Sequence, residues 1–170
     1  MMLEKIKLKD IDLGSLGVIL NKAGRVVDGV NHGRMVLKGD DVYYKIFDKD
    51  YCRRENFVKA LEAGFFNEVA PALQSLIVDG DDIVGYVTEA GEPIGSEFDR
   101  VPDEFYQKVL SLVNEKKMFF YDLVSINIIR TKSGELSLID LESVYDTEEL
   151  YTIDKHNAKV KPDYYYTELQ

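Results

Sequence analysis

A single cysteine, Cys52, rules out an internal disulfide, and two histidines, His32 and His156, are too few and too scattered for a Cys/His metal site. One unbridged cysteine agrees with a reducing compartment, so the cytoplasm is the expected location. Tryptophan is absent and there are only four prolines; no internal repeat or low-complexity linker interrupts the chain. No apolar run reaches membrane-spanning length, and Met1 to Leu20 alternates charge with apolar residues where a signal peptide needs a continuous apolar core. A soluble protein without a membrane partner is expected. Basic residues are in deficit, 21 against 31 acidic, for a formal net charge of -10. That average repels phosphate backbones and disfavours nucleic acid as a partner. Arg53-Arg54 and the Lys155 to Lys161 region are the densest basic stretches, and both read as solvated surface. What remains is a chain of 170 residues with 45% hydrophobic content, enough for one domain or for two small lobes sharing a cleft.

The chemistry-bearing residues are concentrated between Phe119 and Glu142. Phe119-Phe120-Tyr121-Asp122-Leu123-Val124-Ser125-Ile126-Asn127 is followed by Leu138-Ile139-Asp140-Leu141-Glu142. In the phosphoryl-transfer template an aspartate orients the attacking hydroxyl, an asparagine four intervening residues later holds metal, and a further aspartate bridges metal to nucleotide phosphates. Asp122, Asn127 and Asp140 fit that order. Between them, Ile126, Ile128 and Ile129, the turn-forming Lys132-Ser133-Gly134-Glu135, and Leu136 and Leu138 predict a hairpin that returns Asn127 to the side of Asp140. Any metal here is expected to be a hard, oxygen-bound ion. An acidic chain can still bind a nucleotide, because magnesium neutralises ATP phosphates and itself takes carboxylates.

By motif and order, from about Gly24 to about Asp146, the chain resembles the protein-kinase-like superfamily. The resemblance implies an α+β, two-lobed fold, with a small antiparallel-sheet N-lobe carrying one helix and a truncated helical C-lobe. Residues 1–23 would be an N-terminal segment, a short strand or helix packed on the small lobe. Residues 24–91 would run from N-lobe to hinge, and 92–170 would hold the catalytic loop, the metal-binding hairpin and a polar tail. Val42-Tyr43-Tyr44-Lys45-Ile46-Phe47 looks like the strand with the phosphate-binding lysine, Lys45. Gly29-Val30-Asn31-His32-Gly33 takes the place of the glycine loop, where Gly29 and Gly33 would let backbone amides approach phosphate. Helical spacing over Arg53 to Val69 would supply the glutamate that holds the lysine, with Glu62 first choice and Glu55 and Glu68 as alternatives. Ile83 to Ile94 would enter the hinge, where adenine meets the backbone of Glu89, Ala90 and Gly91. A further helix is predicted over Asp103 to Lys117, opened by proline and aspartate.

The implied function is ATP-dependent transfer of a phosphoryl group to a hydroxyl of a protein or small molecule, with Mg2+ or Mn2+ at Asn127 and Asp140. Asp122, Lys45 and Glu62 would be its catalytic residues. Too few residues follow Asp140 for an ordinary activation segment and helical subdomain, so the pattern is that of a minimal kinase, similar to compact bacterial effector kinases and to aminoglycoside and choline phosphotransferases. Glu142 replaces the glycine of DFG. Val124 stands where these families usually carry a phosphate-contacting lysine or histidine, and it motivates the alternative of a pseudokinase acting as a nucleotide-binding or regulatory module. A small acidic interaction domain unrelated to kinases is the remaining rival. The acceptor could be held by a protein partner, or the tail itself could be the acceptor; Tyr164-Tyr165-Tyr166 otherwise reads as packing or a sticky tail.

Overall fold

In the computed structural model the described residues are 2–18, 34–47, 53–96, 98–120 and 123–147. Gly29, Gly33, Asp122 and the tyrosine-rich tail lie outside them. The centre is a six-stranded sheet built from β1 (Glu4–Lys7), β2 (Gly17–Val18), β3 (Arg34–Lys38), β4 (Val42–Phe47), β5 (Leu73–Asp79) and β6 (Asp82–Glu89), in the order β1-β5-β6-β4-β3-β2. All neighbours are antiparallel except β1, which runs parallel to β5 at one edge.

Period-two alternation sorts the strand residues between two apolar layers. Ile46, with Leu37, Ile77, Val84 and Val87, forms one layer, covered by Ile6, Leu8, Ile11 and Leu16 of the N-terminal segment. That segment is therefore a strand plus a covering stretch over one sheet face. Phe47 and Tyr86 face the other way, into a larger core shared with helices α1 (Arg54–Glu62), α2 (Phe66–Val69) and α3 (Asp103–Lys116) and with the strands that follow them. A register shift between Ile77 and Val78 pairs Val78 with Ile83 and leaves Val84 unmatched across β5. The bulge explains how Val84 joins the opposite layer from Ile83 and Tyr86.

The single helix expected over Arg53 to Val69 is two helices, because Gly64 breaks it. Gly64 has φ +73. Its N–H donates to Leu61 O at 3.0 Å, and Phe65 N–H donates to Ala60 O at 3.0 Å. This is the paired bonding of a Schellman motif, with glycine in the left-handed position and both Phe65 and Ala60 buried. The second long helix follows the sequence expectation closely. Phe105, Val109, Leu112 and Val113 give α3 its buried face, and Lys117, left-handed at φ 57, ends it.

Beyond α3 come β7 (Met118–Phe120), β8 (Ile128–Arg130), β9 (Leu136–Leu138) and β10 (Val144–Asp146). β7 pairs with β10 and β8 with β9, both antiparallel. The β8–β9 hairpin closes through Gly134 at φ 90, whose N–H donates to Thr131 O at 2.9 Å. Buried Ser137 of β9 accepts a hydrogen bond from Ala72 N–H at 3.0 Å, tying the hairpin to the start of β5. The architecture is α+β, with a mixed sheet and few helices. Among the described residues no helix is long and apolar enough to cross a membrane.

Candidate functional site

Lys45 sits near the middle of the sheet, where β4 pairs with β6 and Lys45 stands opposite Tyr86. The strands approach closely there because the next position of β6 is Gly85. A Cβ on it would lie 2.1 Å from the Lys45 carbonyl oxygen. Lys45 is 7% exposed, so its ammonium needs partners inside the protein. It has them on the turn after β9: Lys45 Nζ is in direct contact with Asp140 Oδ1 and lies 3.4 Å from Glu142 Oε1. Lysine and aspartate are 95 positions apart in sequence. Removing one partner of a buried ion pair costs about 3–5 kcal/mol, since the other charge is left uncompensated.

The turn is held in place by backbone and tyrosine. Ser143 N–H donates to Asp140 O at 2.8 Å, and Asp140 takes φ 58, a left-handed conformation that aspartate tolerates better than most residues. Leu141, wholly buried, donates its N–H to the Tyr86 hydroxyl at 3.0 Å, and that hydroxyl donates in turn to Glu142 Oε2. Glu142 is 0% exposed, whereas the Asp140 side chain is 27% exposed. The Tyr86 ring stacks on Phe57 of α1, with centroids 4.9 Å apart and planes at 17°.

Glu62 is placed elsewhere. It is exposed at the end of α1, about 140° around the helix from Phe57 at 3.6 residues per turn. The helix presents Phe57 and Ala60 to the core, and among the described residues Asp140 and Glu142 are carboxylates that meet Lys45. Glu55 and Glu68 are also exposed.

Asn127 is buried at 6%, and its main-chain carbonyl accepts a hydrogen bond from Ile139 N–H at 2.9 Å. The hairpin thus returns Asn127 to the residue beside Asp140. Two residues earlier, buried Ser125 donates to the carbonyls of Asp99 and Arg100 at 3.0 and 3.1 Å, fastening this segment to the connector before α3. In that connector Asp99 Oδ2 accepts the Ser96 N–H at 2.6 Å. The bonds from the Ser96 backbone and side chain hold the Asp99 carboxyl below its ordinary range.

Along the expected hinge, Glu89 N–H donates to Ala72 O at 2.8 Å and Ala90 N–H to Asp41 O at 2.9 Å. Two amides of that stretch are therefore engaged within the protein. The Glu89 carboxylate accepts the Lys132 N–H of the hairpin turn. A Cβ on Gly91 would lie 3.1 Å from Arg130 O, so the connector runs tightly against β8. A groove of about 580 Å³, lined in part by Gly17, Lys38, Asp41 and Tyr44, opens on the face of β4 opposite Lys45 and takes no part in this cluster.

Asp140 and Asn127 offer hard oxygen donors. Among the described residues no group of three or more His, Cys, Asp or Glu side chains is arranged to hold a metal ion. Magnesium commonly takes one or two protein carboxylates and fills its octahedron with water and phosphate oxygens, so the partly exposed Asp140 carboxylate is a donor of the kind it uses. Neither Tyr86 nor Gly85 carries a motif that marks it in the sequence, and Glu142 stands out there only as a departure from DFG. The Asp-Leu-Glu spacing was the available signal, since a turn can aim both acids at one cation. In comparison with known proteins, no family model matches the chain and no curated protein matches it in sequence.

Proposed function

We propose that this chain is a minimal, two-lobed kinase-like phosphotransferase that binds ATP with magnesium or manganese and transfers its terminal phosphoryl group to a hydroxyl of a protein or small molecule. The observation that carries the reading is the meeting of Lys45 with Asp140 and Glu142 across 95 and 97 positions, beside a hairpin in which the main-chain carbonyl of Asn127 accepts the Ile139 N–H. The order along the chain, a lysine strand, two helices, two strands, a connector, a helix, a short strand, then a hairpin followed by Asp140, agrees in outline with the order the kinase resemblance implies.

In this reading Lys45 gives its charge to the phosphates when nucleotide arrives. Asp140 and Asn127 are the metal ligands, and a bound divalent ion would neutralise the phosphate oxygens. Asp122 orients the acceptor hydroxyl, the backbone at Gly29 and Gly33 approaches the phosphates, and the Glu89 to Gly91 stretch meets adenine. With Glu89 N–H and Ala90 N–H already engaged, adenine there would use the carbonyls and the amide of Gly91. Transfer of radiolabelled phosphoryl from ATP to a panel of proteins, sugars and the chain itself tests the proposal. Wild-type protein should label an acceptor, and Asp122→Asn should not, with ATP affinity kept within a few-fold.

Val124 favours a second reading, a pseudokinase that binds nucleotide without turnover. Its apolar, half-buried side chain stands where the resembling families carry a cation for the transferred group. ATP binding without labelling of any acceptor would select that reading, and Val124→Lys is then the rescue variant.

A further inference from the structure

We propose that Glu142, fixed by Tyr86, is the positioning residue for Lys45, and that Asp140 is the exchangeable partner that leaves the lysine for a metal ion. This rests on the nucleotide-binding reading and assigns to the Asp-Leu-Glu turn the job that the resemblance gives to a helix glutamate. Two carboxylates meet one ammonium, and their surroundings differ. Glu142 is 0% exposed and its second oxygen is held by the Tyr86 hydroxyl, which the Leu141 N–H pins from the other side at 3.0 Å. Asp140, with a side chain 27% exposed, has water at hand. A carboxylate in contact with water can trade an ammonium for a hydrated cation at small desolvation cost, whereas drawing the fully buried Glu142 away from the ammonium would separate a carboxylate from its counter-charge where no water reaches it.

The helix face nearest this cluster supports the assignment. Phe57 covers the Tyr86 ring, so α1 contributes an aromatic where the resemblance asks for an acid. Lys45 then stays anchored by a residue two positions from the metal ligand, and a shift of α1 does not release it. The lysine and the metal aspartate are set by one turn, and the site is assembled before nucleotide binds.

A double-mutant cycle between Lys45 and Glu142 tests this, read first by melting of the nucleotide-free protein. Glu142→Gln and Lys45→Met should each lower Tm by about 6 °C or more, and the double variant should lose clearly less than their sum, because the buried carboxylate and the ammonium it holds are removed together. Asp140→Asn should lower Tm less than Glu142→Gln. Read by ATP affinity, Glu142→Gln should weaken binding about ten-fold with or without magnesium, and add nothing when Lys45 is already methionine. A merely structural role would add its loss in both backgrounds. If Glu142→Gln does not fold, Tyr86→Phe carries both arms, with a few-fold loss of ATP affinity that appears only when Lys45 is present.

Additive losses in the cycle would overturn the proposal. So would a Glu142→Gln variant that loses only the magnesium-dependent part of the affinity, which would make Glu142 a metal ligand, or a Glu62→Gln variant that alone reproduces the loss. Wild-type protein that binds no ATP, with or without magnesium, would end the nucleotide reading, and the melting cycle would still decide whether Glu142 anchors Lys45.

Discussion

Replacing Tyr86 by phenylalanine removes one oxygen atom from a wholly buried position and keeps the ring that stacks on Phe57. Packing is thus nearly unchanged, and the effect isolates the bonds of the hydroxyl, two of which lie among the described residues. One runs from the hydroxyl to the Glu142 carboxylate; a hydrogen bond to a charged group contributes about 1.5–3 kcal/mol. The other accepts the Leu141 N–H at 3.0 Å, and a buried donor left unpaired costs about 1–3 kcal/mol. Both losses fall on the turn that carries Asp140. A combined loss near 3 kcal/mol is the expected outcome, because water entering the gap would recover part of the sum. For a chain of 170 residues, at about 2–4 °C per kcal/mol, the melting temperature should fall by about 6–12 °C. Circular dichroism melting of wild type and Tyr86→Phe side by side measures it. A variant that melts within about 2 °C of wild type would refute the claim that this hydroxyl braces the turn.

Further perturbations follow from the same geometry. Gly85→Ala puts a Cβ 2.1 Å from the Lys45 carbonyl oxygen, a backbone atom that cannot swing away; a loss of about 3 kcal/mol is expected, visible as a fall of the urea midpoint. Gly64→Ala forces alanine to φ +73 at the end of α1 and should cost about 1 kcal/mol, without affecting ATP binding. Asp99 has its folded pKa lowered by the Ser96 bonds, so its contribution is present above the unfolded value and is lost as pH falls through the folded one. The melting difference between wild type and Asp99→Ala should therefore be seen at pH 7 and should shrink below about pH 4, where an ordinary aspartate protonates. A difference unchanged at low pH would remove that account of the Ser96–Asp99 turn.

Local patterns carried much of the fold into view. Alternation in Val42 to Phe47 marked β4, helical spacing marked α3 to within a residue, and Gly134 in a polar run marked the hairpin turn. Gly64 was visible as a residue, but its left-handed φ goes with the Phe65 N–H turning back to the Ala60 carbonyl, a bond that a helical period does not report. The edge strand β1 was ambiguous because its partner, β5, lies far along the chain and pairs in parallel.

In the site, Lys45 and Asp140 could be picked out because each sits in a recognisable local string. The Tyr86–Glu142 bond joins positions 56 residues apart through a buried hydroxyl, and nothing in either string announces it. The choice of Glu62 followed separation along the chain, while helix facing decides the matter. Phe57 and Ala60 take the inner face of α1, and Glu62 is left on the outer one.

The central claim, that Lys45 and Asp140 form a metal–nucleotide site, is tested most directly by calorimetric titration of ATP with and without Mg2+ into wild type and Asp140→Asn. Asparagine is the variant of choice because it tolerates the left-handed φ of 58 that position 140 requires, so the turn survives while the charge is lost. The account predicts that magnesium tightens ATP binding to wild type at least ten-fold, and that in Asp140→Asn this enhancement disappears while binding of metal-free ATP persists. Equal magnesium dependence in both proteins, or no ATP binding to wild type under either condition, would contradict it.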